Sequence, residues 1–198
     1  MGRMGSVTAE AKEWPKLFRI GPDGQCEEVH GGRMRLEADL QRQVETGMEV
    51  MLGVRLLASE YPTGPWHSGR IDSLGLDQQN SPVVIEYKRG TANGVVSQAV
   101  SYLAWVRSAP HEFKALTRER LGVEAAESIK YLNPRIVCIA ADFSQHDRVA
   151  AHHLPWSIDL LRYRVFDGGL LSLSIETSRG PESPARARRS RERPTSAG

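Results

Sequence analysis

Pro82-Val83-Val84-Ile85-Glu86-Tyr87-Lys88 is the stretch on which the fold turns. Its β-branched residues make it the strongest strand in the chain. Side chains alternate along a strand, so Val83, Ile85 and Tyr87 share one face while Val84, Glu86 and Lys88 share the other. An acid and a lysine therefore project together from an apolar, central strand. An isolated Glu-x-Lys triplet reads best as a solvent-facing ion pair, so its neighbours must decide.

Fourteen residues earlier stands Asp72, within a short strand Gly69-Arg70-Ile71-Asp72-Ser73-Leu74. The polar run Asp77 to Ser81 is turn-like, so the two strands can pair and set Asp72 beside Glu86. Two carboxylates about 4 Å apart repel by roughly 4 kcal/mol at an effective dielectric near 20. Lys88 offsets one charge, and a divalent cation would offset two more. An all-oxygen ligand set suits Mg²⁺ or Mn²⁺, not zinc. A third acid, Glu37, lies in line with the apolar stripe of the preceding helix, since steps of seven and eleven residues nearly close whole turns at roughly 100° per residue. It would give the site three negative charges and one positive. As a first-turn acid it would equally complement the helix dipole.

Outward from this centre, Leu17 to Ile20 and Gln25 to Val29 read as strands around the turn Gly21-Pro22-Asp23-Gly24. Leu36, Leu40, Val44, Met48, Met51 and Leu52 form one helical stripe over residues 36–52. Residues 61–68 and 90–94 read as loops and 95–107 as a helix. Helix continues over 112–130, with a break near Gly122. Arg135 to Ala140 is an apolar strand, and Ser144 caps a short helix to His153. Ile158 to Phe166 and Leu170 to Ile175 flank a hairpin turn at Asp167-Gly168-Gly169. This order predicts an α/β (α+β) domain with a central mixed sheet flanked by helices. Residues 15–178 form the single domain, residues 1–14 a flexible N-terminus, and residues 179–198 a disordered Arg-rich tail.

The 198 residues carry a net charge of +2. The tail alone contributes +4, from six arginines and two glutamates, which leaves −2 on residues 1–178. A 40% hydrophobic, 25% charged composition excludes wholesale disorder. No run approaches the roughly 18 apolar residues of a spanning helix, and the first dozen residues lack a signal-peptide core. Two cysteines, Cys26 and Cys138, build neither a disulfide framework nor a closely spaced metal pair, so a reducing cytoplasm is the expected compartment. His146, His152 and His153 read as a surface helix and loop, without the spacing of a zinc set. Trp66 reads as loop packing before base stacking.

Asp72 followed by Glu86-Tyr87-Lys88 resembles the motif of the PD-(D/E)XK nuclease superfamily, with Ile71 in place of the named proline. Gly69-Arg70-Ile71-Asp72, the fourteen-residue step and Lys88-Arg89-Gly90 resemble the nuclease domain of the branched-DNA and mismatch endonuclease family. Gln98 and Tyr102 match a Gln-x-x-x-Tyr element on the helix after the catalytic strand, and Glu37 matches an acid on the helix before the core strands. From about Leu17 to Ile175 the chain is similar to small, stand-alone bacterial members of that superfamily. They share its N-terminal hairpin, Leu57-Ala58-Ser59-Glu60-Tyr61-Pro62 and Ile158 to Arg164.

The resemblance implies a restriction-endonuclease-like core and a metal-dependent nuclease acting on DNA. Asp72 and Glu86, with the Tyr87 carbonyl and Glu37, would hold Mg²⁺ or Mn²⁺, and Lys88 would orient water or stabilise developing charge. Arg70 and Arg89 would contact phosphate, unless they are solvated strand ends. Gln98 and Tyr102 would position phosphate or the Lys88 amine, or else form a buried hydrogen-bonded pair. The competing functions are RNA cleavage and a catalytically silent nucleic-acid-binding or partner-binding module. Because the body is slightly acidic, a homodimer or another partner is expected to help hold the substrate.

Overall fold

The computed structural model describes residues 16–64 and 69–179. The expectations for residues 1–14, for Trp66 and for the tail beyond Arg179 lie outside the described residues.

The chain opens with a two-stranded antiparallel ribbon, β1 (Leu17–Ile20) and β2 (Cys26–Val29). A short β3 (Gly31–Gly32) and helices α1 (Glu37–Thr46) and α2 (Met48–Leu52) follow. Next come β4 (Val54–Pro62), β5 (Arg70–Asp77) and β6 (Pro82–Ala92). Then α3 (Val95–Ser108), α4 (Pro110–Leu121) and α5 (Val123–Glu127) precede β7 (Arg135–Phe143). Helix α6 (Gln145–His153) leads into the hairpin β8 (Ser157–Phe166) and β9 (Leu170–Arg179).

Seven strands form one mixed sheet in the order β3-β8-β7-β6-β5-β4, with β9 paired to β8. The strand quoted first is central: β6 lies antiparallel to β5 and parallel to β7. Burial on both sides explains its apolar run. Val83, Ile85 and Tyr87 pack with Leu40, Val44 and Met48 of α1 and α2. Val84, on the other face, joins the core with Val96, Ala99 and Leu103 of α3 and Phe113 of α4. A central mixed sheet with helices on both faces is the restriction-endonuclease-like arrangement expected from the sequence. Among the described residues, no helix is long and apolar enough to cross a membrane.

Four local expectations need correction. The helix expected over 36–52 breaks at Gly47, and its stripe is narrower: Leu36 and Met51 are exposed, while Leu40, Val44 and Met48 are buried. A strand, β4, occupies 54–62, so Tyr61 and Pro62 are not loop; its register shifts between Leu56 and Ala58, which breaks the period-two pattern that would have announced it. Strand β6 likewise continues to Ala92, because Thr91 and Ala92 pair with Asp142 and Phe143 after a shift beyond Lys88. Finally, β9 runs past Ile175 to Arg179, paired with Ile158. The Gly122 break and the Ser144 cap stand as expected, with the Ser144 hydroxyl accepting from the Asp147 N–H.

Candidate active site

The β5–β6 ladder ends at Ser73 opposite Ile85. Beyond it, side chains take the place of ladder partners. The Tyr87 N–H donates to Asp72 Oδ2 at 3.0 Å, and the Asp72 N–H donates to Glu86 Oε1 at 3.4 Å. The parting strands thus hand backbone donors to two carboxylates and hold them side by side, as the fourteen-residue step predicted.

Glu86 is fully buried, and its Oε2 has no hydrogen-bond partner among the described residues. Burial first, and the Asp72 charge second, push its carboxyl up to about 9. Asp72 is also raised, mainly by burial, with the Tyr87 N–H and the Lys88 charge opposing. In a low-dielectric setting two such groups need a proton or a cation between them. The neighbouring Cys138, paired with Glu86 across β6–β7, is pushed up by burial and by Glu86, so it contributes no thiolate.

Lys88 Nζ lies 3.5 Å from Glu37 Oε1, and its charge lowers both Asp72 and Glu86. Glu37 Oε2 accepts from the Arg89 N–H at 2.8 Å. Glu37 is therefore spent on Lys88 and Arg89. Among the described residues, no three His, Cys, Asp or Glu side chains gather into a metal-holding group. The donor set still fits Mg²⁺ or Mn²⁺. One buried carboxylate oxygen lacks a partner among the described residues, a second carboxylate adjoins it, and Mg²⁺ is commonly bound through one or two carboxylates while keeping several waters.

The outlying residues separate into two groups. Gln98 Nε2 donates to the Tyr102 hydroxyl at 3.3 Å, and that hydroxyl also accepts from the Arg70 N–H at 3.3 Å. They are a hydrogen-bonded pair, Tyr102 buried and Gln98 half-buried, that fixes the start of β5. Gly69 makes room for it, since a Cβ there would lie 2.4 Å from Tyr102 Cε1. Arg70 is exposed and salt-bridged to Glu60. Arg89 is exposed too, its Nη1 donating to the Arg35 carbonyl at 3.1 Å. His146, His152 and His153 are all exposed on or at the end of α6, in keeping with a surface helix.

Sequence reasoning missed the support beneath the acids. Gln41 Nε2 donates to the Asp72 carbonyl at 2.8 Å and approaches Glu45 Oε1 at 3.1 Å and Ser59 Oγ at 3.2 Å. The Ser73 hydroxyl donates to Glu45 Oε1 at 2.6 Å and lies 3.1 Å from the Tyr87 hydroxyl. Glu37, Gln41 and Glu45 recur every four residues, so one stripe of α1 grips both strands where the acids emerge. That spacing was readable from the sequence and marks the face. Glu60 was also missed: it adopts φ 53°, unusual for a residue with a side chain, and its charge raises Asp72. Asp147 is a third case. Buried, it accepts from the Gly94 and Val96 N–H groups at 3.0 and 3.1 Å, which caps α3 from a distant element.

No family model matches the chain. It is 25% identical over 162 residues to an uncharacterized protein of Haemophilus influenzae, an alignment covering 81% of this chain and 52% of that protein. The chain thus spans about half the length of the curated relative it matches. Among solved structures it is similar to a repair endonuclease from Pyrococcus abyssi, at 19% identity and TM-score 0.39 over 66% of this chain and 49% of that one. It is also similar to EndoMS in a complex with double-stranded DNA, at 16% identity and TM-score 0.39 over 80% and 71% of the two chains. The sheet order and the helices on both faces give the mixed α/β core expected from the sequence, with the paired acids on β5 and β6 at its centre.

Proposed function

We propose that the protein is a metal-dependent nuclease that hydrolyses DNA phosphodiester bonds, acting as an endonuclease. The observation that carries this reading is the buried Glu86 Oε2 beside Asp72, without a partner among the described residues, with Lys88 as the adjacent cation. A buried acid pair with a perturbed proton affinity marks a functional centre more often than a structural one.

Asp72, Glu86 and the Tyr87 carbonyl would hold Mg²⁺ or Mn²⁺, and Glu37 would act through water or through Lys88. Once bound, the cation supplies Lewis-acid chemistry, acidifying water and neutralising charge on the scissile phosphate. Lys88 has a different task. Its ammonium, tethered to Glu37, orients the attacking water and stabilises charge that builds on the phosphorus oxygens. Arg70 and Arg89 offer guanidinium groups to phosphates on either side. Gln98 and Tyr102 act indirectly, by fixing the start of the strand that carries Asp72. Cys26 and Cys138 are both free, which suits a cytoplasmic enzyme.

The test is a substrate panel: single-stranded, duplex, mismatched and branched DNA, and RNA, each with Mg²⁺, with Mn²⁺ and with chelator. Metal-dependent DNA cleavage that Glu86→Ala and Lys88→Ala abolish is expected. Cleavage of RNA alone would move the reading to a ribonuclease. Binding without cleavage on any substrate would leave a silent binding module, and the nuclease reading would fail.

A further inference from the structure

A basic cleft is linked through the Arg89 backbone to Glu37 and Lys88. The cleft, of about 230 Å³, is lined by Gly31, Gly32, Arg33, Tyr163 and Arg164. Strand β3 forms one wall and the end of β8 the other, since Gly31 and Gly32 pair with Phe166 and Val165. Two contacts join it to the candidate active site. The Tyr163 hydroxyl donates to the Arg89 carbonyl at 2.7 Å, and the Arg89 N–H donates to Glu37, which holds Lys88.

The cations around this cleft are placed by the fold. Arg164 Nη2 donates to the Gly31 carbonyl at 3.1 Å, and its guanidinium lies 5.5 Å from the Phe166 ring centroid. A Cβ at Gly31 would overlap Arg164 Nε at 2.2 Å, so only glycine admits that pose. Arg89 is anchored through its own N–H, its carbonyl and its Nη1 contact with Arg35. Arg33 and Arg35 are exposed, and Arg33 and Arg89 both bring positive charge to bear on Tyr163. Among the described residues, neither Arg33, Arg35 nor Arg89 forms a salt bridge. Some other arginines of this chain are neutralised, Arg135 by Asp159 and Arg148 by Asp142 and Glu176. Arg33, Arg35 and Arg89 thus bring positive charge to the side of this cleft, a field that favours a polyanion. Pre-placed guanidinium groups also lose little freedom on binding.

We propose that this cleft is a second anion subsite, which holds a backbone phosphate of duplex DNA away from the scissile one. Arg33 and Arg164 are its principal contacts, and Arg89 is the link to the reacting centre. This deepens the nuclease reading and rests on it for the nature of the ligand.

Binding is measured by fluorescence anisotropy with a labelled duplex of about 25 base pairs, in chelator, across a salt series. No cleavage occurs under those conditions, so the readout is independent of catalysis. Wild type, Arg33→Glu, Arg164→Ala and Arg33→Ala/Arg164→Ala are compared, with Arg120→Ala on α4 as the control. Each phosphate contact removed should lower the slope of log K against log salt by about 0.9. The double variant should bind at least tenfold more weakly in low salt, with Arg120→Ala near wild type. Arg33 is exposed, so Arg33→Glu carries the test even if Arg164→Ala lowers the melting temperature. An unchanged slope and affinity in Arg33→Glu and the double variant would overturn the subsite. If the wild type still cleaves DNA with metal, the nuclease reading survives that result. A wild type that neither binds nor cleaves the duplex would remove both.

Discussion

In the absence of metal, Glu86 should make the protein less stable as pH rises, and replacing it with glutamine should remove that loss. The carboxyl stands at about 9 in the folded chain against an ordinary 4.5. Between those values the folded protein holds a proton that the unfolded chain has released. Stability is therefore fullest below 4.5 and falls as pH climbs toward 9, because the folded state binds more protons. At about 1.36 kcal/mol per pH unit, the penalty at pH near 7.5 reaches at most about 4 kcal/mol. For a domain of this size that is roughly 10 °C in melting temperature. Glu86→Gln keeps an oxygen to accept from the Asp72 N–H and adds an amide donor toward the Asp72 carboxylate, so it mimics the protonated acid at every pH. The assay is urea and thermal unfolding of both proteins in chelator from about pH 5 to 8.5. Groups remote from the pair tilt both curves alike, so the difference between the two proteins isolates Glu86 and its coupling to Asp72. The glutamine variant should match wild type near pH 5 and exceed it by a few kcal/mol near pH 8. Parallel curves, or a less stable variant at pH 8, would refute the reasoning.

Other expectations follow from neighbouring contacts. Gln41→Ala strips the donor from the Asp72 carbonyl and should cost about 1–3 kcal/mol in urea unfolding. It should also lower kcat for DNA cleavage more than it changes KM, since Gln41 supports the acid and does not touch substrate. Gly69→Ala drives a methyl group into Tyr102 and should cost about 1–3 kcal/mol. In a Tyr102→Ala background most of that cost should vanish, and a double-mutant cycle without coupling would count against the contact. Asp147→Ala leaves the Gly94 and Val96 N–H groups unpaired and should cost about 2 kcal/mol. Hydrogen exchange at the first turn of α3 should then accelerate; unchanged protection at Val96 would contradict the cap.

Much of the fold was legible because it obeys simple periods. The run Pro82 to Tyr87 is buried on both faces and says so through its β-branched residues. The Asp72–Glu86 spacing fixed the pairing of β5 with β6, and with it the heart of the site. What escaped was nonlocal or irregular. Strand β4 carries a register shift that scrambles its alternation, and Glu60 within it takes a backbone angle its side chain does not announce. Asp147 looks like an ordinary first-turn acid of α6 and declares its second duty only when α3 packs beside it. Glu37 opens α1 as the sequence suggested, yet its carboxylate turns to Lys88 and Arg89, a choice set by where those groups land after folding. The arginine cleft assembles residues from β3, the following loop, β6 and β8, and no local pattern links them.

The most direct test is calorimetric titration of Mn²⁺ into the wild type and Glu86→Gln without nucleic acid, at pH near 7.5, in two buffers of different ionisation enthalpy. Wild type should bind the ion and release about one proton per ion as the acid pair gives up its shared proton. Glu86→Gln should bind at least tenfold more weakly and release none. Equal affinity and equal proton release in the two proteins would contradict the assignment of Asp72 and Glu86 as the seat of the metal.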